Sequence, residues 1–130
     1  MSLIVCGVDL VDIHRFSTLD PAIRQRFIRR VFTKAEIDLC GDRDDHLAGR
    51  FAVKEAVAKA LGCGIGLIGW QDVETLANEQ NAPELILHGQ AKVKASEKGL
   101  HQWSVSISHT RELATAFVVA SKGSEQGNFD

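Results

Sequence analysis

Apolar and polar positions change period several times along the chain. Residues 3 to 13 are crowded with Leu, Ile and Val and read as a β-strand. Asp20-Pro21 has the form of an N-cap followed by the first helical residue, which predicts a helix over 21 to 31. Thr33-Lys34-Ala35-Glu36 has capping-box spacing and opens a second, short helix. Residues 41 to 46 read as a polar loop that ends in potential N-caps. Residues 46 to 61 are dense in Ala, Leu, Lys and Glu, and predict the longest helix, stopped at Gly62. A glycine-rich connector follows to Gly69. Residues 70 to 76 and 84 to 88 read as strands around a turn at Asn81 and Pro83, and 92 to 98 as a short helix ended by Gly99. Residues 103 to 108 and 114 to 120 alternate as two further strands. Strands and helices mix without regular βαβ order, so the class is α+β. One domain is expected over 1–120, with a polar, glycine-rich tail over 121–130.

Placed on a helical wheel, the long helix turns Val53, Ala56, Val57 and Ala60 to one face. Arg50 and Lys54 share a second face, and Glu55 and Lys59 a third, each at i,i+4 spacing. The neighbours of Glu55 and Lys59 on that third face are small or apolar: Ala48, Phe51, Ala52 and Ala58. Glu55 there is either half of an ordinary surface pair with Lys59 or a carboxylate that needs a metal or a partner. In the first strand, alternation puts Gly7, Asp9 and Val11 on one face. Asp is disfavoured in strands, so Asp9 either begins a turn with Asp12 or serves a ligand. Magnesium is held by one or two carboxylates plus substrate phosphates, and Asp9 with Glu55 would make such a half-site if the two meet.

Of 130 residues, 45% are hydrophobic and 25% charged, the mix of a soluble globular chain. A net charge of −2 gives no reason to expect nucleic acid or a membrane as partner. Cys6, Cys40 and Cys63 are too scattered for a disulfide framework or a zinc site. The first residues carry no basic leader and no membrane span, so a cytoplasmic location is expected. Gly64-Ile65-Gly66-Leu67-Ile68-Gly69 spells a dinucleotide fingerprint, but it follows a helix and precedes a strand, the reverse of what that motif needs. Ser108-His109 has no nucleophile elbow. His14, His46, His88 and His101 have no metal-ligand spacing and read as structural or surface residues, and Trp70 and Trp103 as core.

Four blocks together carry a resemblance. Residues 7 to 15, Gly-Val-Asp-Leu-Val-Asp-Ile-His-Arg, resemble the opening block of the bacterial holo-acyl-carrier-protein synthases. Residues 46 to 62 resemble their R-F-A-x-K-E-A-x-x-K-A-L-G helix, 70 to 74 their D-x-E strand, and 104 to 110 their late S-x-S-H-T block. The resemblance implies the phosphopantetheinyl transferase fold in its short form, with a small antiparallel sheet packed on a long helix. It implies a homotrimer with active sites at subunit interfaces. The implied activity moves the 4'-phosphopantetheine arm of coenzyme A onto a serine of apo-acyl-carrier protein, releasing adenosine 3',5'-bisphosphate and supporting fatty acid biosynthesis. Asp9 and Glu55 match the magnesium ligands, and Lys59 the lysine beside the pyrophosphate. Arg50, Ser108, His109 and Thr110 match the block that meets the nucleotide's phosphates, and Gly62 lies at the pocket wall. Glu55 is then the candidate to take the serine proton, directly or through a metal-bound water.

Residues 15 to 34 hold Arg15, Arg24, Arg26, Arg29, Arg30 and Lys34 against Asp20, a local charge of +5. This stretch suits an acidic partner, and the resemblance makes Arg15, Arg24 and Arg26 the docking set for the carrier protein. The other reading is a solvated face paired with Glu36, Asp38, Asp42, Asp44 and Asp45 downstream. Two further functions fit the same residues: a non-catalytic module for coenzyme A or an acidic partner, and a magnesium-dependent nucleotide phosphohydrolase.

Overall fold

The computed structural model describes residues 3–123. Strand β1 (Ile4–Asp12) runs into a one-turn helix α1 (His14–Ser17), which the sequence pattern did not signal. Helices α2 (Pro21–Val31), α3 (Lys34–Cys40) and α4 (Asp44–Ala60) follow. Strands β2 (Val73–Ala77) and β3 (Pro83–Leu87) form a hairpin, then come α5 (Gly89–Glu97), β4 (Gln102–His109) and β5 (Leu113–Ser121).

Two of the predicted start signals operate as expected, whereas the potential N-caps of the 41–46 loop do not cap α4, whose N-cap residue Arg43 makes no side-chain cap bond. The Asp20 carboxylate accepts from the Ala22 N–H, and the Thr33/Glu36 capping box is complete. Helix α4 begins two residues earlier than expected, so Asp44 and Asp45 lie in its first turn rather than in the loop, where acidic side chains suit the helix dipole. Trp70–Asp72 is a 3₁₀ turn, not the start of a strand, because the Asp72 carboxylate bends back to the Gly69 N–H at 2.9 Å. The β2–β3 turn lacks a glycine, and Asn81 takes the positive φ of 61° instead, a conformation Asn tolerates. The glycine-rich segment 64–69 is a connector, held by a bridge between Ile65 and Ile68. Strand β5 reaches Ser121, the first residue of the expected tail, and residues 124–130 of that tail lie outside the described residues.

Two antiparallel sheets result, β1-β5-β4 and β2-β3. Helix α4 lies across the inner face of the larger sheet. Its small side chains allow a close crossing: Ala48, Ala52, Ala56, Ala58 and Ala60 are buried, with Val53 and Val57 between them. At Gly7 the crossing is tightest, since a Cβ there would sit 1.9 Å from the Ala56 carbonyl oxygen. Only glycine fits. Among the described residues no helix is long and apolar enough to cross a membrane.

Lys54 corrects the expectation of a second charged face. It is fully buried and pairs with the equally buried Glu36 at 2.8 Å, while also donating to the Trp70 and Val73 carbonyls. Glu36 in turn accepts from the Thr33 and Thr75 N–H groups. This network ties α3 and the β2 strand to α4. Burial lowers the Lys54 ammonium from its ordinary range, and Glu36 opposes that shift.

Candidate active site

Strand β1 and helix α4 bring the two sequence-predicted carboxylates to one place. Asp9 faces inward between buried Gly7 and Val11, as the alternation requires. Lys59 of α4 donates to Asp9 Oδ1 at 3.1 Å and to the Val8 carbonyl at 2.9 Å. The surface pair between Lys59 and Glu55 is therefore replaced by a bridge to β1. Asp9 also opens no turn: it stays in register opposite Ala116, and its carbonyl accepts from the Thr115 hydroxyl. Asp12 instead turns its carboxylate to the His14 N–H where the strand ends.

Glu55 stands beside this pair. Burial raises its carboxyl above the ordinary value, and the like charge of Asp9 raises it further, against the pull of Lys59 and Arg15. Arg15 lies over the Phe51 ring at 5.7 Å to its centroid, at the rim of a small cavity of about 130 Å³ lined by Phe16, Leu19, Ile23, Phe27 and Phe51. Two partly buried carboxylates near enough for the charge of one to act on the other, with a lysine as local counter-charge, form a donor set suited to a hard divalent cation completed by phosphate oxygens. Among the described residues no cluster of three or more His, Cys, Asp or Glu side chains competes for that role.

The remaining predicted residues lie elsewhere, and not all in one place. Arg50 and Glu55 are five residues apart on α4, which turns them about 140° from one another. Arg50 donates to the Thr75 carbonyl at 3.2 Å. His109, at the end of β4, points its Nε2 toward Asp45 Oδ2 at 3.9 Å, and the Thr110 hydroxyl accepts from the Glu112 and Leu113 N–H groups in the β4–β5 turn. Ser108 is exposed with Ser104 and Ser106 on the opposite side of β4 from His109, so the two are not partners. Gly62 is exposed just beyond α4 with φ of 74°. One chain thus carries a carboxylate cluster (Asp9 and Glu55, with Lys59) and a separate basic group (Arg50 and His109, with Thr110 beside it) on different sides of one helix.

Of the basic segment, Arg15 and Arg26 are exposed, whereas Arg24 is held by Asp44 at 2.5 Å and is only 21% exposed. Pairing with a downstream acid therefore describes Arg24, and also Lys34, which meets Asp38 at 3.0 Å. Two contributors escaped the sequence reading. His46, taken as structural or surface, lies among charged groups at the start of α4, and the signal for it was its i,i+4 spacing from Arg50. Glu74 accepts from the Thr33 hydroxyl and from His88 at 3.0 Å; these bonds and charges outweigh the opposing effect of burial and leave its carboxyl below the ordinary value.

A family model for the 4'-phosphopantetheinyl transferase superfamily matches residues 5–118, and the chain belongs to that superfamily. Within it, the chain is similar to holo-acyl-carrier-protein synthases. That of Herpetosiphon aurantiacus is 45% identical over 124 residues, covering 90% of this chain and 98% of the relative. That of Dehalococcoides mccartyi is 43% identical over 118 residues, covering 91% and 98%. The crystal structure of the Helicobacter pylori holo-acyl-carrier-protein synthase in complex with coenzyme A matches with a TM-score of 0.79 at 35% identity, covering 88% of this chain and 98% of that one. The Neisseria meningitidis synthase matches at 0.80 with 32% identity, covering 89% and 96%.

Proposed function

We propose that this chain is a holo-acyl-carrier-protein synthase that transfers 4'-phosphopantetheine from coenzyme A to a serine of apo-acyl-carrier protein. The convergence of Asp9 and Glu55 at the β1–α4 crossing, with Lys59 bridging back to β1, carries the reading. The serine oxygen attacks the β-phosphorus, and the bond to adenosine 3',5'-bisphosphate breaks. Asp9 and Glu55 would hold magnesium, which supplies positive charge to the pyrophosphate. Lys59, 56% exposed at its side chain, has room to exchange its Asp9 contact for a phosphate oxygen. Glu55 is the group placed to take the serine proton. Arg50, His109 and Thr110 serve the nucleotide phosphates, with Ser108 and Gly62 at the edge of the coenzyme pocket.

The carrier protein docks along α1 and α2. Arg15 and Arg26 offer free positive charge to its acidic surface, and Arg24 contributes by releasing Asp44. The cavity between Phe16, Phe27 and Phe51 takes an apolar side chain next to the reacting serine. The chain assembles as a homotrimer with composite sites at the interfaces. The exposed outer face of the β1-β5-β4 sheet, with Val8 at 54%, Leu10 at 63% and Phe117 at 46% exposure, supports that assembly. Three free cysteines fit a reducing cytoplasm.

Incubating the protein with coenzyme A, magnesium and apo-carrier tests the activity. Mass spectrometry should record one added phosphopantetheine arm on the carrier serine, and Asp9→Ala and Glu55→Ala should each abolish the gain. An unmodified carrier under these conditions would refute the assignment, and full turnover in both variants would refute the two-carboxylate site.

A further inference from the structure

The first turns of α4 bring several basic and ionisable side chains together. His46 and Arg50 share one stripe of the helix at i,i+4, and Arg43 precedes it as the N-cap residue. His109 approaches from the end of β4. Asp45 stands against them. Its Oδ2 lies 3.3 Å from Arg43 and 3.9 Å from His109, and its Oδ1 accepts from the backbone N–H of His46 at 2.9 Å. Of the other nearby groups, Asp44 is taken by Arg24 of α2, and the Cys40 thiol of α3 is pushed up by burial and stays neutral. Arg43 and His109 keep side chains 64% and 46% exposed, so a ligand can reach both. The cluster has two fixed positive charges, one negative charge, and histidines that can add more.

We infer that His46 is a further phosphate-binding residue, which takes up a proton when a phosphomonoester dianion sits among Arg43, Arg50 and His109. The inference rests on the coenzyme A reading above and adds the proton coupling of its nucleotide end. Without ligand, burial and the neighbouring Arg43 hold the His46 imidazole below its ordinary value; Asp45 opposes this, and Arg50 and His109 add to it. A dianion reverses the local field and favours imidazolium, so binding draws a proton from solvent. Asp45 fills part of that role in the free protein, and the ligand takes over its partners.

The test is calorimetry of binding in two buffers of different ionisation enthalpy between pH 6.5 and 8.5, above the second ionisation of a phosphomonoester near pH 6. Coenzyme A and adenosine 3',5'-bisphosphate should bind with proton uptake, and Kd should rise up to about tenfold per pH unit for each proton taken up. His46→Gln should reduce the uptake by up to about one proton. His46→Lys, a permanent cation, should bind more tightly than the unsubstituted protein at pH 8.5. Dephospho-coenzyme A, which lacks the 3'-phosphomonoester, should not distinguish these variants from the parent. Equal proton uptake by His46→Gln and parent, or the same His46 dependence with dephospho-coenzyme A, would overturn the inference. Failure of the unsubstituted protein to bind coenzyme A would instead overturn the reading beneath it. Should His46→Gln not fold, His46→Lys and the comparison of the two coenzyme forms decide the matter.

Discussion

Burial and the like charge of Asp9 both press the Glu55 carboxyl toward its protonated form, and only Lys59 and Arg15 pull the other way. A group with this balance is ill suited to holding a fold together and well suited to gaining a cation or a proton. The sign for stability follows from proton counting. The folded state keeps the Glu55 proton to higher pH than the unfolded chain does, so stability falls as pH rises through that window, and ionised Glu55 costs stability at neutral pH. Glu55→Gln should therefore raise the thermal midpoint at pH 7, with a smaller gain at pH 4, while transfer falls at least ~100-fold. Magnesium should raise the midpoint of the parent and not of the variant. A lower midpoint for Glu55→Gln at pH 7 would mean that the carboxylate is structural.

Those two carboxylates meet because an element-level device fixes the strand to the helix. Gly7 lies two residues before Asp9, and Ala56 immediately follows Glu55, so this close backbone crossing sits beside the site. Gly7→Ala would drive a methyl into the Ala56 carbonyl, which cannot rotate away. The expected cost is about 3 kcal/mol, or roughly 10 °C in thermal midpoint, with coenzyme affinity lost as β1 is displaced. Gly49→Ala is the matched control. Its Cβ would meet only the Ile107 side chain, at 2.8 Å, and a side chain can shift, so about 1 kcal/mol is expected. Similar losses at both glycines, read by chemical denaturation, would refute the close crossing. Capping residues, strand alternation and the density of Ala in the long helix made most elements legible in the sequence. Alternation even placed Asp9 on the inner face. Legibility failed where long-range partners decide: the wheel put Lys54 on a charged face, yet Glu36, eighteen residues earlier, draws it into the core. Asp72 similarly turned an expected strand start into a 3₁₀ turn, and the wheel could not say that Lys59 prefers Asp9 to Glu55.

At the scale of the molecule, one chain holds two charged clusters on different sides of α4, the carboxylates toward β1 and the cations toward β2 and β4. It also leaves the apolar outer face of its larger sheet uncovered, with Ile4, Val8, Leu10 and Phe117 in solvent. Repeating copies around a closed ring answers both facts, since a heterologous interface can set the carboxylates of one subunit against the cations of the next. Val8→Asp with Phe117→Asp should then yield a folded monomer by sedimentation, with little transfer. A sharper consequence concerns mixtures. Glu55→Ala subunits keep an intact cationic half, and Arg50→Ala subunits keep an intact carboxylate half. Each protein alone should be nearly inactive. Co-expressed in equal amounts, they assemble at random, and about one interface in four pairs two intact halves whatever the ring size. Transfer should return to roughly a quarter of the parent rate per site. Were each site built from a single chain, every subunit in the mixture would still carry a damaged site, and the mixture would remain as inactive as its components.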